Sequence, residues 1–520
     1  MDSSTFSQDA RTGNVARLFD ETAAERGDAV AIEHRGTELG YDAVSHRTAT
    51  FAGGLHDRGL DPGDRLLLYL PNCPQYVVAA LGGFKAGTPV SPMNPQYKAR
   101  EIGHQLSDTG AKAVVTHAAL REPLGEALAE SDLSPTVITV GDRIPDGDVP
   151  FDEVAGEPTL VPRDDDDVAM QPYTSGTTGT PKGVLLTHRN LRAQAFAGFL
   201  FSDLPPDRDR SLVVLPLYHI TGFVHSTWQV LARGGRIYVR SPANWDAEDA
   251  MATIEAEDVS GFIGVSAMFV DMVETDSFGD YDLASLDNVS EGGAKMPVAV
   301  QERFEAVAGV DLNEGYGLTE TTGATHTNVG ATFGPRIGTV GQPLRMVDAK
   351  VVDESGEEVA PGETGELLVR GPIVMAGYHD LPDATEAAFD DRGYFRTGDV
   401  VRSDGDNYFE VVDRKKHLIN TAGYNVYPSE VEGLLFEHDA VVDAAVVGVP
   451  DDRRGETVTA FVVPAPDADA TPEDIKQFCL DNLAEYKHPR EVSFVADLPR
   501  TASGKVQKYK LVERDADRSA

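Results

Sequence analysis

Apolar and polar positions divide the chain into alternating helical and strand-like stretches. V15-A-R-L-F-D-E-T-A-A-E-R26 has helical spacing, whereas D64-R-L-L-L-Y-L-P71 reads as a short buried strand. Y76-V-V-A-A-L-G-G-F-K-A-G87 predicts a helix stopped by Gly87, and K112-A-V-V-T116 predicts a further strand. Strands separated by helices argue for a layered α/β body with largely parallel sheets. No fixed-period repeat is visible.

Toward the carboxyl end the pattern changes. Y427-P-S-E-V-E432 predicts a helix with Ser429 as its N-cap and Glu432 completing a capping box, and Val431, Leu434 and Leu435 form its apolar stripe. V441-V-D-A-A-V-V-G-V449 and T457-V-T-A-F-V-V463 read as strands. T471-P-E-D-I-K-Q-F-C-L480 starts a second helix capped by Thr471, and E491-V-S-F-V-A-D-L498 is a final strand. These features predict a compact α+β domain whose boundary falls near D413-R-K-K416.

Composition narrows the function classes. The 520 residues exceed one hydrophobic core and suit two or three packed units. No apolar run approaches the roughly 20 residues needed to cross a bilayer. The first residues lack a secretory pattern, and Cys73 and Cys479 are too few for a disulfide framework, so a reduced cytoplasm is expected. A net charge of −40 argues against nucleic acid and anionic membranes as partners. Only 13 of the 45 basic residues are lysine. An acidic, lysine-poor surface resembles that of proteins from salt-loving microbes, where salt screens the self-repulsion. Acidic runs such as Asp164 to Asp167 read as solvated surface or linker.

Against that scarcity, Lys182 in Y173-T-S-G-T-T-G-T-P-K-G-V184 is conspicuous. Glycines let backbone N–H groups approach a ligand, hydroxyls add donors, and lysine adds a mobile cation. Together they suit a triphosphate cradle, although the spacing is not that of G-x-x-x-x-G-K-[ST]. A plain polar loop between a strand and a helix is the alternative.

The string T174-S-G-T-T-G-T-P-K-G183 closely resembles the phosphate-loop signature of the ANL adenylating superfamily. That group includes acyl- and aryl-CoA synthetases, peptide-synthetase adenylation domains and beetle luciferases. Further signatures follow in the family's order over nearly the whole chain: L215-P-L-Y-H-I-T-G222, G292-G-A294, G315-Y-G-L-T-E320, Y394-F-R-T-G-D399, D413-R-K-K-H-L-I419 and P499-R-T-A-S-G-K505. The resemblance implies an α/β fold with a large N-terminal adenylating domain of layered α/β subdomains, residues 1–414. A small mobile C-terminal α+β domain, residues 415–520, would carry the catalytic lysine.

It also implies two half-reactions. A carboxylate attacks the α-phosphorus of ATP, giving an acyl-adenylate and pyrophosphate; the thiol of CoA then displaces AMP. Thr174, Ser175, Gly176, Thr177, Thr178, Gly179 and Lys182 would hold the β- and γ-phosphates. Glu320 would bind Mg²⁺ and Thr319 would donate to the α-phosphate. Tyr316 would stack on adenine, with Gly292, Gly293 and Ala294 opposite and Glu314 and Gly315 in the same nucleotide-binding stretch. Asp399 would accept both ribose hydroxyls, and Arg414 would contact the sugar or a phosphate. Lys505 would bridge the acid and ATP, Lys416 would be the hinge, and Gly423 would let the pantetheine arm pass.

His219, Gly222, Phe223, Gly323 and Ala324 are the expected acyl-pocket residues, the two small ones permitting depth. Arg240 is a weak candidate for CoA. Singly, Tyr316 could be a core ring, Glu320 a helix-start acid, Asp399 a turn residue, Lys505 a surface lysine and His219 a satisfied core histidine. Their joint order favours the site.

Asn420 and Ala422 replace lysines found in plant coumarate ligases, and H417-L-I-N-T-A-G-Y-N-V-Y-P428 looks closer to fatty acyl-CoA ligases. A medium- or long-chain fatty acid or an aryl acid is therefore expected. The partners are that acid, ATP and CoA, and a homodimer is compatible with this reading. Loading of a carrier protein is the alternative function, and a silent nucleotide-binding protein is a third.

Overall fold

In the computed structural model, the described residues are 6–8, 10–174, 181–199, 204–293, 296–451, 453–466, 468–500 and 506–519, the last five of these as backbone only. They form two compact units. The first comprises the chain up to Thr174, then Lys182–Asp348 and Arg370–Gly393; the second takes Ala349–Val369 and the chain from Tyr394.

The first unit is built on two sheets. A nine-stranded sheet runs Gln342–Pro343, Gly323–Thr327, Leu312–Leu318, Asn288–Gly292, Gly261–Gly264, Arg210–Val213, Arg236–Val239, Val30–His34, Thr37–Gly40. Its centre is parallel and its edges antiparallel. An eight-stranded sheet runs Gly377–Tyr378, Val184–Thr187, Val168–Met170, Val90–Pro92, Leu66–Tyr69, Ala113–His117, Thr136–Val140, Val149–Pro150. The expected parallel α/β layering is present.

Leu66–Tyr69 is buried throughout, as a continuous apolar run inside a helix-covered parallel sheet must be. The following helix, Pro74–Ala86, is apolar on nearly every face and buried accordingly, and Gly87 ends it in the left-handed region at φ 72°. Its one charged side chain, Lys85, is 1% exposed and reaches Asp20 at 2.5 Å and the Ser45 carbonyl at 3.1 Å. Burial thus spends one of the few lysines on tying three helices together.

The second unit contains a four-stranded sheet, Asp348–Val352, Thr364–Arg370, Phe395–Ser403 and Phe409–Arg414. A further sheet joins Tyr424–Val426, Ile419–Thr421, Gly455–Pro464 and Val441–Asp451, with Glu491–Phe494 parallel to Gly455–Pro464. Thr471 caps its helix as expected, exchanging bonds with Asp474 in a capping box.

The four-stranded sheet groups with the tail in one compact unit, and Lys415 pairs with Glu366 of that sheet at 3.0 Å. Two expectations change. Ser429 does not cap its helix, which begins at Pro428 with Tyr427 in the capping position. Its N–H goes to Asp413 Oδ2 at 2.9 Å and its hydroxyl to the Val412 carbonyl, while Glu432 accepts from Val446 N and Lys508 Nζ, each at 2.7 Å. Tertiary partners have taken both halves of the box. The Asp164–Asp167 run is more than solvated linker, because Asp165 pairs with the buried Arg192 and accepts the Gly13 N–H.

Among the described residues, no helix is long and apolar enough to cross a membrane.

Candidate active site

The loop that opens the predicted phosphate site is stitched at its base. Thr174 N donates to the Lys182 carbonyl at 3.0 Å, Lys182 N donates to Thr174 Oγ1 at 3.1 Å, and Tyr173 bridges Gly183. These bonds pair the two arms at Thr174 and Lys182. Ser175, Gly176, Thr177, Thr178 and Gly179 lie outside the described residues. The second arm continues into strand Val184–Thr187 and leaves Lys182 exposed, its Nζ 4.7 Å from the centre of the Tyr378 ring.

Glu320 reaches the same tyrosine. It sits in the 3-10 turn Thr319–Thr321, and its Oε1 accepts the Tyr378 hydroxyl at 3.0 Å. Burial, and then the adjacent carboxylate, push the phenol's pKa well above its ordinary value, so Tyr378 remains a donor. Two residues 138 positions apart in the chain, Lys182 and Glu320, thus converge on one side chain.

The strand before that turn, Leu312–Leu318, carries Glu314, Gly315 and Tyr316. Parallel register sets Gly292 beside Gly315 and Glu291 beside Glu314. Glu314 is buried, and Tyr316 meets His326 edge-on with ring centres 5.9 Å apart. Gly293 follows the neighbouring strand, and Ala294 falls outside the described residues. Ser266 donates to Glu291 Oε1 at 2.8 Å.

In the second unit, Asp399 and Arg414 are register partners on antiparallel strands, and Arg414 Nε meets Asp399 Oδ1 at 2.8 Å. Lys416 is exposed in the short turn Lys415–His417. Gly423, at φ +85°, and Ala422, at φ +53°, form the two-residue turn between Ile419–Thr421 and Tyr424–Val426. Such a tight hairpin needs positive φ at both positions, and nothing lies within 4 Å of where a Cβ at 423 would be. Lys505 lies outside the described residues.

The acyl candidates separate. His219 is half-buried, its Nδ1 accepting from Thr221 N at 3.3 Å, and Gly222 lies in the first turn of the π-helix Thr221–Trp228. Phe223 points into the core, against Tyr76 and Phe84 at 6.1 Å each. The room beside Gly323 is already filled: a Cβ there would lie 2.1 Å from His225 Nε2.

His225 belongs to a closed polar ring. Ala324 N donates to His225 Nε2 at 2.9 Å, Gln194 Nε2 donates to the Ala324 carbonyl at 2.8 Å, Gln229 Nε2 donates to the Gln194 carbonyl at 2.6 Å, and the Gln229 side chain hydrogen-bonds the imidazole. Burial, opposed in part by Gln229, lowers the imidazole pKa to about 4. The small residue at 323 leaves room for the His225 imidazole beside it. Arg240, the weak CoA candidate, is paired with Glu33 at 2.7 Å.

Comparison with known proteins decides the family. The model of the AMP-binding enzyme family matches residues 19–379, and that of the AMP-binding enzyme C-terminal domain matches residues 430–505. This chain belongs to the AMP-binding enzymes. It is an ANL-superfamily protein of the AMP-forming acyl-CoA synthetase group, and so an acid–thiol ligase.

This ligase is 36% identical to a feruloyl-CoA synthase of Amycolatopsis sp over 486 residues, covering 94% of this chain and 96% of the relative. It is 33% identical to a long-chain-fatty-acid–CoA ligase of Bacillus subtilis (strain 168) over 533 residues, covering 96% and 94%. Its fold superposes on ATP-bound MatB from Rhodopseudomonas palustris with a TM-score of 0.88 at 29% identity, covering 97% of this chain and all of that one.

Two residues of the ligase escaped the motif reading, Tyr378 and His225. Neither carries a chemical signature in the sequence, since M375-A-G-Y378 reads as a strand end and His225 sits in an apolar helical run.

Proposed function

We propose that this ligase activates a medium- or long-chain fatty acid or an aryl acid with ATP and transfers it to free CoA. The observation that carries the reading is the convergence of Lys182 and Glu320 on Tyr378. It places a cation and a carboxylate around one point at the mouth of the stitched loop. Lys182, Thr174 and the loop 175–179 would hold the β- and γ-phosphates, and Thr319 would donate to the α-phosphate. Tyr316, together with Glu314, Gly315 and Gly292–Ala294, would take the adenine, while Asp399 and Arg414 would hold the ribose.

The donor set fits Mg²⁺. Among the described residues, no cluster of three or more His, Cys, Asp or Glu could cage a metal, and a single carboxylate such as Glu320 suits an ion that completes its shell with phosphate oxygens and water. When bound, Mg²⁺ would neutralise phosphate charge. Lys505 would offset repulsion between the acid and ATP in the first half-reaction. The Lys416 hinge would then bring Gly423 into use, and the pantetheine thiol would displace AMP.

The charge of −40 fits a protein adapted to concentrated salt, so the decisive assay runs in molar KCl. Pyrophosphate release is followed over fatty acids of graded length and over aryl acids, with and without CoA. Sustained turnover only with CoA supports the proposal. Release that ignores CoA would favour the carrier-loading function instead.

A further inference from the structure

The segment from Met375 to His379 works as a buckle between two parts of the nucleotide site. Met375 N donates to the Glu320 carbonyl at 2.8 Å, Ala376 N to the Leu185 carbonyl at 2.9 Å, and His379 N to the Gly183 carbonyl at 2.8 Å. Between them, Gly377 and Tyr378 pair antiparallel with Leu185 and Val184. One end of the segment therefore holds the turn bearing Glu320, and the other holds the arm bearing Lys182. The approach is close at Gly183, where a Cβ would sit 2.7 Å from Gln171 Nε2 and 3.3 Å from His379 Cβ.

Tyr378 repeats this link with its side chain. Its hydroxyl donates to Glu320 Oε1 at 3.0 Å, and its ring face lies under the Lys182 ammonium, 4.7 Å from the ring centre. A phenol bond to a carboxylate oxygen fixes the plane of the carboxylate, and a hydrogen bond to a charged group is among the stronger kind. A ring face attracts a cation without neutralising it and leaves all three N–H donors for a phosphate.

We propose that Tyr378 is a positioning residue for nucleotide binding: its hydroxyl orients Glu320 toward Mg²⁺, and its ring holds Lys182 at the phosphate loop. This rests on the adenylating reading of the site. The two halves of the side chain have separable jobs. Tyr378→Phe keeps the ring and loses the donor; Tyr378→Leu loses both.

The test is calorimetric titration of the full chain with a non-hydrolysable ATP analogue, over a range of Mg²⁺ concentrations including none. In the wild type, Mg²⁺ should tighten binding. Tyr378→Phe should reduce that Mg²⁺-dependent gain roughly tenfold and leave metal-free affinity within about twofold, the scale expected for one charge-assisted bond. Tyr378→Leu should weaken metal-free binding as well. A Tyr378→Phe protein with the full wild-type Mg²⁺ gain overturns the inference.

A merely structural role is separated by adding Glu320→Gln. If the phenol acts through Glu320, the double variant binds no more weakly than Glu320→Gln alone, whereas additive losses overturn the inference. A wild type that shows no Mg²⁺-dependent binding of the analogue overturns the adenylating reading and this inference together. A wild-type gain that persists in Tyr378→Phe overturns this inference alone.

Discussion

The imidazole of His225 occupies the space that any side chain at position 323 would require. A Cβ at Gly323 would come within 2.1 Å of Nε2, and Gly323 has φ +113°, outside the range favoured by L-residues. Gly323→Ala should therefore cost about 2–4 kcal/mol, through both steric overlap and backbone strain. Thermal denaturation with and without His225→Ala checks it. Because the overlap is relieved and the strain is not, the second change should recover only part of the loss.

His225→Ala alone should open volume beside Gly323. If this wall borders the acyl pocket, relative kcat/KM should shift toward longer acids by roughly tenfold, the discrimination available to a methylene or so of packing. Pyrophosphate release over a chain-length series reads it. An unchanged profile would place His225 away from the acid.

The ion pair of Asp399 and Arg414 makes a second prediction. The Asp399 side chain is only 3% exposed, and its amide N–H is held by Thr397 Oγ1 at 3.1 Å. Asp399→Asn removes the charge while keeping the shape, so Arg414 loses its counter-ion and the ribose loses an anionic acceptor. KM for ATP should rise at least about tenfold, as for loss of a charged hydrogen bond, with a smaller loss of melting temperature. A fall in melting temperature without a KM change would make the pair structural only.

Lys505→Ala should slow adenylation by several orders of magnitude and largely spare thioester formation from supplied acyl-adenylate. Separate assays of the two half-reactions check this, and equal losses would contradict the bridging role.

Lys416→Pro should act in the opposite sense, impairing thioester formation more than pyrophosphate release. A proline fixes φ and so restricts the rotation that a hinge residue must absorb. Parallel loss of both rates would remove the hinge role.

Acid stability should reveal the buried histidines. Burial lowers the pKa of His225 to about 4, and of His188 and His326 to about 3, with Arg163 and Arg192 adding to the effect at His188. Below about pH 6.5 the unfolded chain takes up protons that these folded imidazoles refuse. Stability is thus full above that pH and falls as pH drops toward 4, by at most about 1.4 kcal/mol per unit for each group. His225→Gln should flatten the decline in chemical denaturation between pH 6.5 and 4.5. An unchanged slope would show that His225 is protonated in the folded protein.

Local patterns in the sequence determined the elements whose causes are local. Gly87 stops its helix because the chain there needs a left-handed residue, Thr471 caps because its hydroxyl reaches a donor three residues on, and Leu66–Tyr69 is buried because it has no polar face. The family signatures likewise marked Lys182, Glu320, Asp399 and Arg414. Tertiary structure alone decided what those side chains meet. Tyr378 meets Glu320 across 58 positions, His225 meets Ala324 across 99, and Ser429 abandons its cap for Val412 and Asp413. A hydrogen bond is selected by proximity after folding, so a period or a cap, which depends on neighbours along the chain, cannot announce it.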